Sequence, residues 1–385
     1  MISFLLSIIC QLALVYFIFL YAGFPLGLYL LTRLRGKQAP GATATFTHPM
    51  VQVVVPIFNE LDNLPQLIAN IREQHYHHIS ILFISDGSTD GSVDYILQEE
   101  EKTSDIDLYV IEKNAGKNPA LNAAFQAGRF QGDLVCFTDA DTLLAPEAIA
   151  SAVQYFSNPQ VGLVGGRIFY WLQGQSAHLA EGFYWRLENF LREAEGDLGC
   201  LVSCPGQFIL MRQELFKPLP PDANTDFAMP LSVLAQGYQS RFDRAAVVWS
   251  AFPTEVEKVL KRRQRTIIRA LTTMAIYRTR LPWFIRGVLF WHKTARFYAF
   301  PAQAALLLAN LGVVYAAPSL VYVFMLLGQL LFYGAALAGW LSERLHLKLP
   351  YVHLPYEFTR QHLTAFAAVL AYHRGQRVSK WTPPR

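Results

Sequence analysis

Charged residues are missing from Met1 to Thr32, where most positions are apolar. A helix needs roughly 20 apolar residues to cross a bilayer, so this stretch is long enough for a span. A second uncharged run, Phe297 to Ser342, has room for two spans, with Pro318-Ser319 as the turn between them. Pro282 to Phe300 reads differently, because Trp283, Phe284, Leu289, Phe290 and Trp291 are mixed with Arg286, Lys293 and Arg296. That mixture suits a helix lying in the headgroup region. The run Leu363 to Tyr372 is too short to span alone; it is either a further interfacial helix or the end of a tilted span.

Between these runs the pattern changes to short β-branched segments alternating with helix-like ones. Gln52 to Ile57, Ile79 to Ser85, Leu108 to Glu112 and Leu134 to Thr138 read as strands. Leu64 to Gln74, Ser92 to Glu101 and Ala120 to Phe130 read as helices. Such alternation indicates a Rossmann-like α/β domain with a mostly parallel sheet. Ligands of such sheets bind beyond the carboxyl ends of the strands, so polar clusters following the strands mark the expected site. The expected segments are an anchor at 1–35, the α/β domain at 48–280, an interfacial helix at 281–300, a transmembrane hairpin at 301–342 and a cytoplasmic or interfacial tail at 343–385.

Composition supports this division. The chain has 385 residues, more than one ordinary domain, and its 52% apolar content is concentrated towards the two ends. The first span has no basic n-region and no clear small-residue cleavage site after it, so it reads as an uncleaved anchor. Arg33, Arg35 and Lys37 follow it directly, which places this flank in the cytoplasm. The hairpin returns the chain to the same side, where Arg344, Lys348, Arg360, Arg374, Arg377 and Lys380 lie. The expected setting is thus a multi-pass protein of the cell's inner membrane with its α/β domain in the cytoplasm. A net charge of +4 does not point to a nucleic-acid partner. Cys10, Cys136, Cys200 and Cys204 form no zinc-ligand pattern.

Four polar clusters carry candidate chemistry. The first strand ends at Pro56, with Asn59-Glu60 beyond it, and the second ends in Ser85-Asp86-Gly87-Ser88-Thr89-Asp90-Gly91-Ser92. This cluster is either a turn whose Asp90 or Ser92 caps the next helix, or a place where Asp86 accepts bonds from a base or ribose. Asn114 to Asn122 puts Gly116 and Lys117 before a helix, which suits phosphate contact or a solvated loop. It lacks the spacing of a Walker loop. Asp139-Ala140-Asp141 follows the fourth strand, and two carboxylates at this spacing suit Mg²⁺ or Mn²⁺ with positions left for diphosphate oxygens. Asp226, in Asn224-Thr225-Asp226-Phe227, is either a helix cap or a general base for an acceptor hydroxyl.

Taken in order, PIFNE (56–60), SDGSTDGS (85–92), GKNPALN (116–122), DAD (139–141), CPGQFILMRQELF (204–216) and TDF (225–227) resemble the family-2 glycosyltransferases of GT-A fold. The similarity is to the membrane-anchored bacterial branch that builds cell-envelope polysaccharides, and it covers roughly residues 50–300. The resemblance implies a nucleotide-sugar donor, a UDP-sugar first, and a polysaccharide or lipid-linked acceptor near the membrane. It implies that Pro56, Asn59, Glu60, Asp86, Gly87, Lys117, Asn122, Asp139, Ala140 and Asp141 line the donor site. Asp86 would contact uracil or ribose, Asp139 and Asp141 would hold the metal and diphosphate, and Asp226 would be the base of an inverting displacement.

One departure bears on processivity. Processive members carry Gln-x-x-Arg-Trp before their membrane helices, whereas Ile267 and Ile268 occupy the Arg and Trp positions after Gln264. The absent tryptophan points to transfer of single sugars. Arg265 and Arg269 remain as diphosphate ligands or as the basic face of a helix on anionic headgroups. A closed path for an exported polysaccharide would need more membrane helices or a polysaccharide-export partner. The competing readings are a nucleotidyltransferase and a catalytically silent membrane scaffold of the same fold. Trp171, Tyr184 and Trp185 are either sugar-stacking or packing residues.

Overall fold

The computed structural model describes residues 1–36, 48–171, 183–251, 256–345, 347, 349 and 351–378. Lys37, Lys348 and Lys380 of the orientation argument, and the side chains of Trp171 and Tyr184, lie outside the described residues. The chain divides into two compact units, one of residues 28–259, 272–286 and 377–385, the other of residues 1–27, 260–271 and 287–376.

The first unit is built on an eight-stranded sheet among the described residues, in the order β3-β2-β1-β4-β7-β6-β8-β5. Its strands are β1 (Val51–Ile57), β2 (Ile79–Asp86), β3 (Ile106–Ile111), β4 (Leu134–Phe137), β5 (Thr142–Leu144), β6 (Val161–Trp171), β7 (Ile209–Arg212) and β8 (Gln239–Ala251). β1 is almost wholly buried, as a central strand covered on both faces must be. Its Pro56 lacks an N–H, but β4 pairs only with Val51 to Val54, so Pro56 interrupts no ladder on that side. The first four strands are parallel, as the sequence indicates.

The sheet is mostly parallel, as expected, and β6 runs parallel to β8, but two strands of its second half are reversed. β7 runs antiparallel to both β4 and β6, and β5 runs antiparallel to β8. The sheet is therefore mixed. The reversal has a geometric consequence, because Phe137 at the end of β4 pairs with Ile209 at the start of β7. The segment entering β7 thus lies at the same edge as the segment leaving β4.

Numbering the helices in chain order, the N-terminal helix comprises α1 (Ile2–Ile18) and α2 (Phe24–Arg35), joined by a π turn. Around the sheet lie α3 (Leu64–Arg72), α4 (Ser92–Glu100), α5 (Lys117–Gln126), α6 (Ala148–Val153), α7 (Phe183–Asp197) and α8 (Thr225–Ala235). In α3, Leu64, Leu67, Ile68 and Ile71 form one buried stripe at helical spacing. Helix α5 starts at Lys117, a turn earlier than the apolar pattern suggests, because Gly116 at φ 101° ends the extended segment there.

The remaining helices are α9 (Val256–Tyr277), α10 (Trp283–Leu289), α11 (Ala295–Phe297), α12 (Ala299–Ala316), α13 (Leu320–Arg344) and α14 (His353–His373). Among the described residues, three helices are long and apolar enough to cross a membrane: Ile2–Arg35, Ala299–Ala316 and Leu320–Arg344. Their side chains include large, exposed apolar groups such as Leu12, Phe324 and Leu331, as lipid-facing surfaces require. Pro318 and Ser319 lie between α12 and α13. The run 363–372 is the second half of the 21-residue α14, which does not meet the criteria of a span. Within this unit Tyr21 bonds His362 at 2.6 Å and Gln303 bonds the other ring nitrogen at 3.2 Å. Polar groups thereby join α14 to its neighbours, where bare burial of the imidazole would be costly.

Candidate active site

The loops after β1 and β2 are bound to each other. Asn59, held at the unusual φ of 57°, accepts the Thr89 amide at 2.7 Å, while its own amide donates to the Ser88 hydroxyl at 3.1 Å. The Glu60 amide donates to Ser92 Oγ and the Leu61 amide to Asp90 Oδ2. Asp90 Oδ1 accepts the amide and hydroxyl of Ser92, the first residue of α4. Burial works against ionisation of Asp90, yet these bonds from Ser92 and Leu61 hold its carboxyl below the usual range. The capping expectation for this segment is therefore met by Asp90 acting on the first turn of α4, with Gly91 at the cap position.

Asp86 is buried, and its two oxygens accept the amides of Ala115 and Gly116 at 2.7 and 2.8 Å. It clamps the start of α5 and keeps its further lone pairs for other donors. Gly87 has φ 78°, and a Cβ there would lie 2.7 Å from the Asn114 amide nitrogen. The backbones of the loops after β2 and β3 approach so closely there that only glycine fits.

Lys117, the first residue of α5, donates to Asp139 at 2.5 Å. Asp139 is half-buried and follows β4; Asp141 is exposed and Ala140 is buried between them. Glu60 belongs to the same electrostatic neighbourhood. Burial raises its pKa; a bond from Asn63 opposes this, and the nearby charges of Asp141, Asp139 and Asp90 add to the rise. The carboxylates Asp139 and Asp141 thus lie near enough to Glu60 for their charges to act on it, with Lys117 paired to Asp139. Asp139 and Asp141 carry the hard oxygen donors that a divalent cation takes. Among the described residues no group of three His, Cys, Asp or Glu side chains can hold an ion by itself, so further ligands would come from the diphosphate and water.

Asp226 lies in the first turn of α8. The cap is Asn224, whose side chain accepts the Asp226 amide at 2.9 Å, so the capping role does not fall to Asp226. Pro230, four residues on, has no N–H to give to the Asp226 carbonyl. The Cys204 amide takes that place at 3.1 Å. Gly206 faces the Asp226 carboxylate so closely that a Cβ there would lie 2.4 Å from Oδ1. The segment 204–208 leads into β7, and through the β4–β7 pairing it reaches the edge where Asp139 leaves β4.

Several expected residues have firmly defined partners. Asn122 forms a reciprocal pair with the Leu219 backbone, donating to its carbonyl and accepting its amide, each at 2.7 Å. Its amide is therefore engaged with the proline-rich segment 218–221. Arg265 and Arg269 belong to the helical unit, one turn apart on α9. Burial, with Arg269 and Arg262 nearby, lowers the pKa of the Arg265 guanidinium to about 10. Trp185 packs its ring 5.4 Å from that of Tyr170. The residues that sequence reasoning overlooked are Asn118, Gly206 and Asn224. Their signal was present inside the quoted motifs, but nothing in residue type distinguishes a buried bridge from a solvated loop residue.

A profile described as Glycosyl transferase family 2 matches residues 52–219. An N-acetylglucosaminyltransferase of Rhizobium leguminosarum bv. viciae is 25% identical over 236 residues, covering 56% of this chain and 54% of the relative. The N-acetylglucosaminyltransferase of Rhizobium meliloti is also 25% identical, with the same coverage of each chain. The chain thus spans about half the length of these curated relatives. Among solved structures, the mannosyltransferase PcManGT from Pyrobaculum calidifontis, in complex with GDP-Man and Mn²⁺, superposes with a TM-score of 0.70 at 23% identity. That superposition covers 96% of this chain and 99% of the other. Residues 52–219 thus match glycosyltransferase family 2, the α/β domain has the GT-A fold, and the chain carries apolar helices long enough to cross a membrane.

Proposed function

We propose that this protein transfers a single sugar from a nucleotide-sugar donor, a UDP-sugar first, to a saccharide or lipid-linked acceptor. The reaction takes place at the cytoplasmic face of the inner membrane. The observation that carries this reading is the carboxylate edge: Asp139 and Asp141 follow β4, Lys117 is bonded to Asp139, and β7 brings the Asp226 neighbourhood to the same edge. In this reading Asp139 and Asp141 hold Mg²⁺ or Mn²⁺, which would offset the charge of the departing diphosphate. Lys117 contributes a second positive charge to that diphosphate. Asp86, Gly87, Asn59, Glu60 and Pro56 shape the wall for the nucleoside. Asp226 accepts the proton of the acceptor hydroxyl; that oxygen forms a bond to the anomeric carbon while the bond to diphosphate breaks, and the configuration inverts. Arg265 and Arg269 serve as anion ligands, for diphosphate or for headgroups, and the missing Gln-x-x-Arg-Trp tryptophan favours single transfers.

The test is release of nucleoside diphosphate by the detergent-purified protein with UDP-sugars and GDP-mannose, in Mn²⁺ or Mg²⁺ and with a membrane extract as acceptor source. The expected result is release with one donor, abolished by EDTA and lowered about 10²–10⁴-fold by Asp226→Asn, the range for a lost general base. Asp139→Asn is expected to abolish metal-dependent nucleotide binding. Release of pyrophosphate from an added nucleoside triphosphate, in place of nucleoside diphosphate from the sugar donors, would indicate a nucleotidyltransferase. No turnover of any donor would leave the silent scaffold.

A further inference from the structure

We propose that Asn118 is a positioning residue that sets Asp226 relative to the donor site; this rests on the reading of Asp226 as the general base. Asn118 follows Lys117 on α5 and is completely buried. Its side-chain nitrogen donates to the Pro220 and Ala223 carbonyls, each at 2.8 Å. Its oxygen accepts the Thr225 hydroxyl at 2.9 Å. Reversing the amide would set its oxygen against two carbonyls, so these partners fix its orientation. Thr225 immediately precedes Asp226 and is the first residue of α8.

One turn further along α5, Asn122 holds the Leu219 backbone from both sides. Two asparagines on one helix therefore fix residues 219, 220, 223 and 225, nearly a hundred residues or more away in sequence. The start of α5 is itself clamped by Asp86 through the Ala115 and Gly116 amides. A chain of short hydrogen bonds thus runs from the donor-side carboxylate Asp86, through α5, to the turn that carries Asp226. Lys117 and Asn118 are adjacent, so the residue bonded to Asp139 and the residue bonded to Thr225 move as one piece of backbone. The base and the diphosphate site are registered to each other by α5, and the register depends on the two donors and one acceptor of Asn118.

The experiment combines kinetics and hydrogen exchange on the full chain in detergent, with the donor that turns over in the panel above. Asn118→Asp keeps the shape and loses both donors; Thr225→Val removes only the hydroxyl and serves if the first variant does not fold. Asn118→Asp is expected to lower kcat about 100-fold, the scale of a misplaced reacting group, with donor KM changed less than about threefold. Thr225→Val is expected to lower kcat about fivefold by the same effect. In an Asp226→Asn background neither change should lower the residual rate further, because the bridge acts through Asp226. An equal loss in both backgrounds, or no loss in kcat, overturns the proposal. Wild-type turnover by Asp226→Asn alone would instead remove the reading of the base. Independently of substrate, amides of residues 219–228 should exchange faster in Asn118→Asp while those of Ala115 and Gly116 do not. Unchanged exchange at 219–228 also overturns it.

Discussion

The donor-side loops and the loop that carries Asp226 are held in opposite ways. After β1 and β2, each loop is bound by the other: Asn59 to Thr89, Ser88 to Asn59, Asp90 to Leu61 and Ser92 to Glu60. These partners lie about thirty residues apart and end adjacent parallel strands. The turn at Asp226 is bound from several separate segments instead, by Asn118 across 107 residues, by Thr273 across 49 and by Cys204. The first arrangement is secured as soon as two neighbouring strands pair. The second exists only when the sheet, α5 and α9 are all in place. Damage to the first should therefore weaken donor binding, and damage to the second should slow the chemical step.

The largest separation of these effects is expected from Gly206→Ala. The added methyl group would meet the Asp226 carboxylate and swing it aside. A displacement of about 1 Å at a reacting group costs about 100-fold, so kcat should fall on that scale while UDP affinity in Mn²⁺ stays within about threefold. Equal losses in both would break the comparison. Gly87→Ala should do the reverse, since its Cβ would push against the Asn114 amide and the residue would keep a positive φ. Nucleotide affinity measured by calorimetry should weaken about tenfold, equivalent to about 1.4 kcal/mol, with a smaller change in kcat.

Asn224→Ala removes a helix cap at the catalytic turn. The expected loss is about 1 kcal/mol of stability, with a melting temperature lower by about 2–4 °C. The smallest effect belongs to the donor side. Asp90 is held below the usual carboxylate range, so its ionised form stabilises the fold above the unfolded pKa. That contribution disappears as pH falls through the lowered folded value. Asp90→Asn should therefore lower the melting temperature by about 1–3 °C at neutral pH, the gap closing in acid below the ordinary carboxylate pKa. A gap that persists there would assign the loss to lost packing.

The same contrast explains what was readable in advance. β1 to β4 announce themselves through β-branched runs, and their parallel order follows from the helices between them. Asp86 and Asp139 could be placed at strand ends because each stands where an apolar β-type run stops. β7 could not be assigned a direction from ILMR, because four apolar residues carry no information about their neighbour. The role of Asn122 was similarly hidden, since an asparagine reads alike whether its amide faces ligand or the Leu219 backbone.

Sequence alone determined the uncharged spans, the first half of the sheet, the acidic residues at its strand ends and the family motifs. These depend on local periodicity and on the order of residues along the chain. Only the tertiary structure decided that β7 runs backwards beside β4, that Asn224 rather than Asp226 caps α8, and that Asn118 joins α5 to the first residue of α8. Each of these depends on pairing between segments distant in sequence, and a hydrogen bond across 107 residues leaves no period for a pattern to reveal.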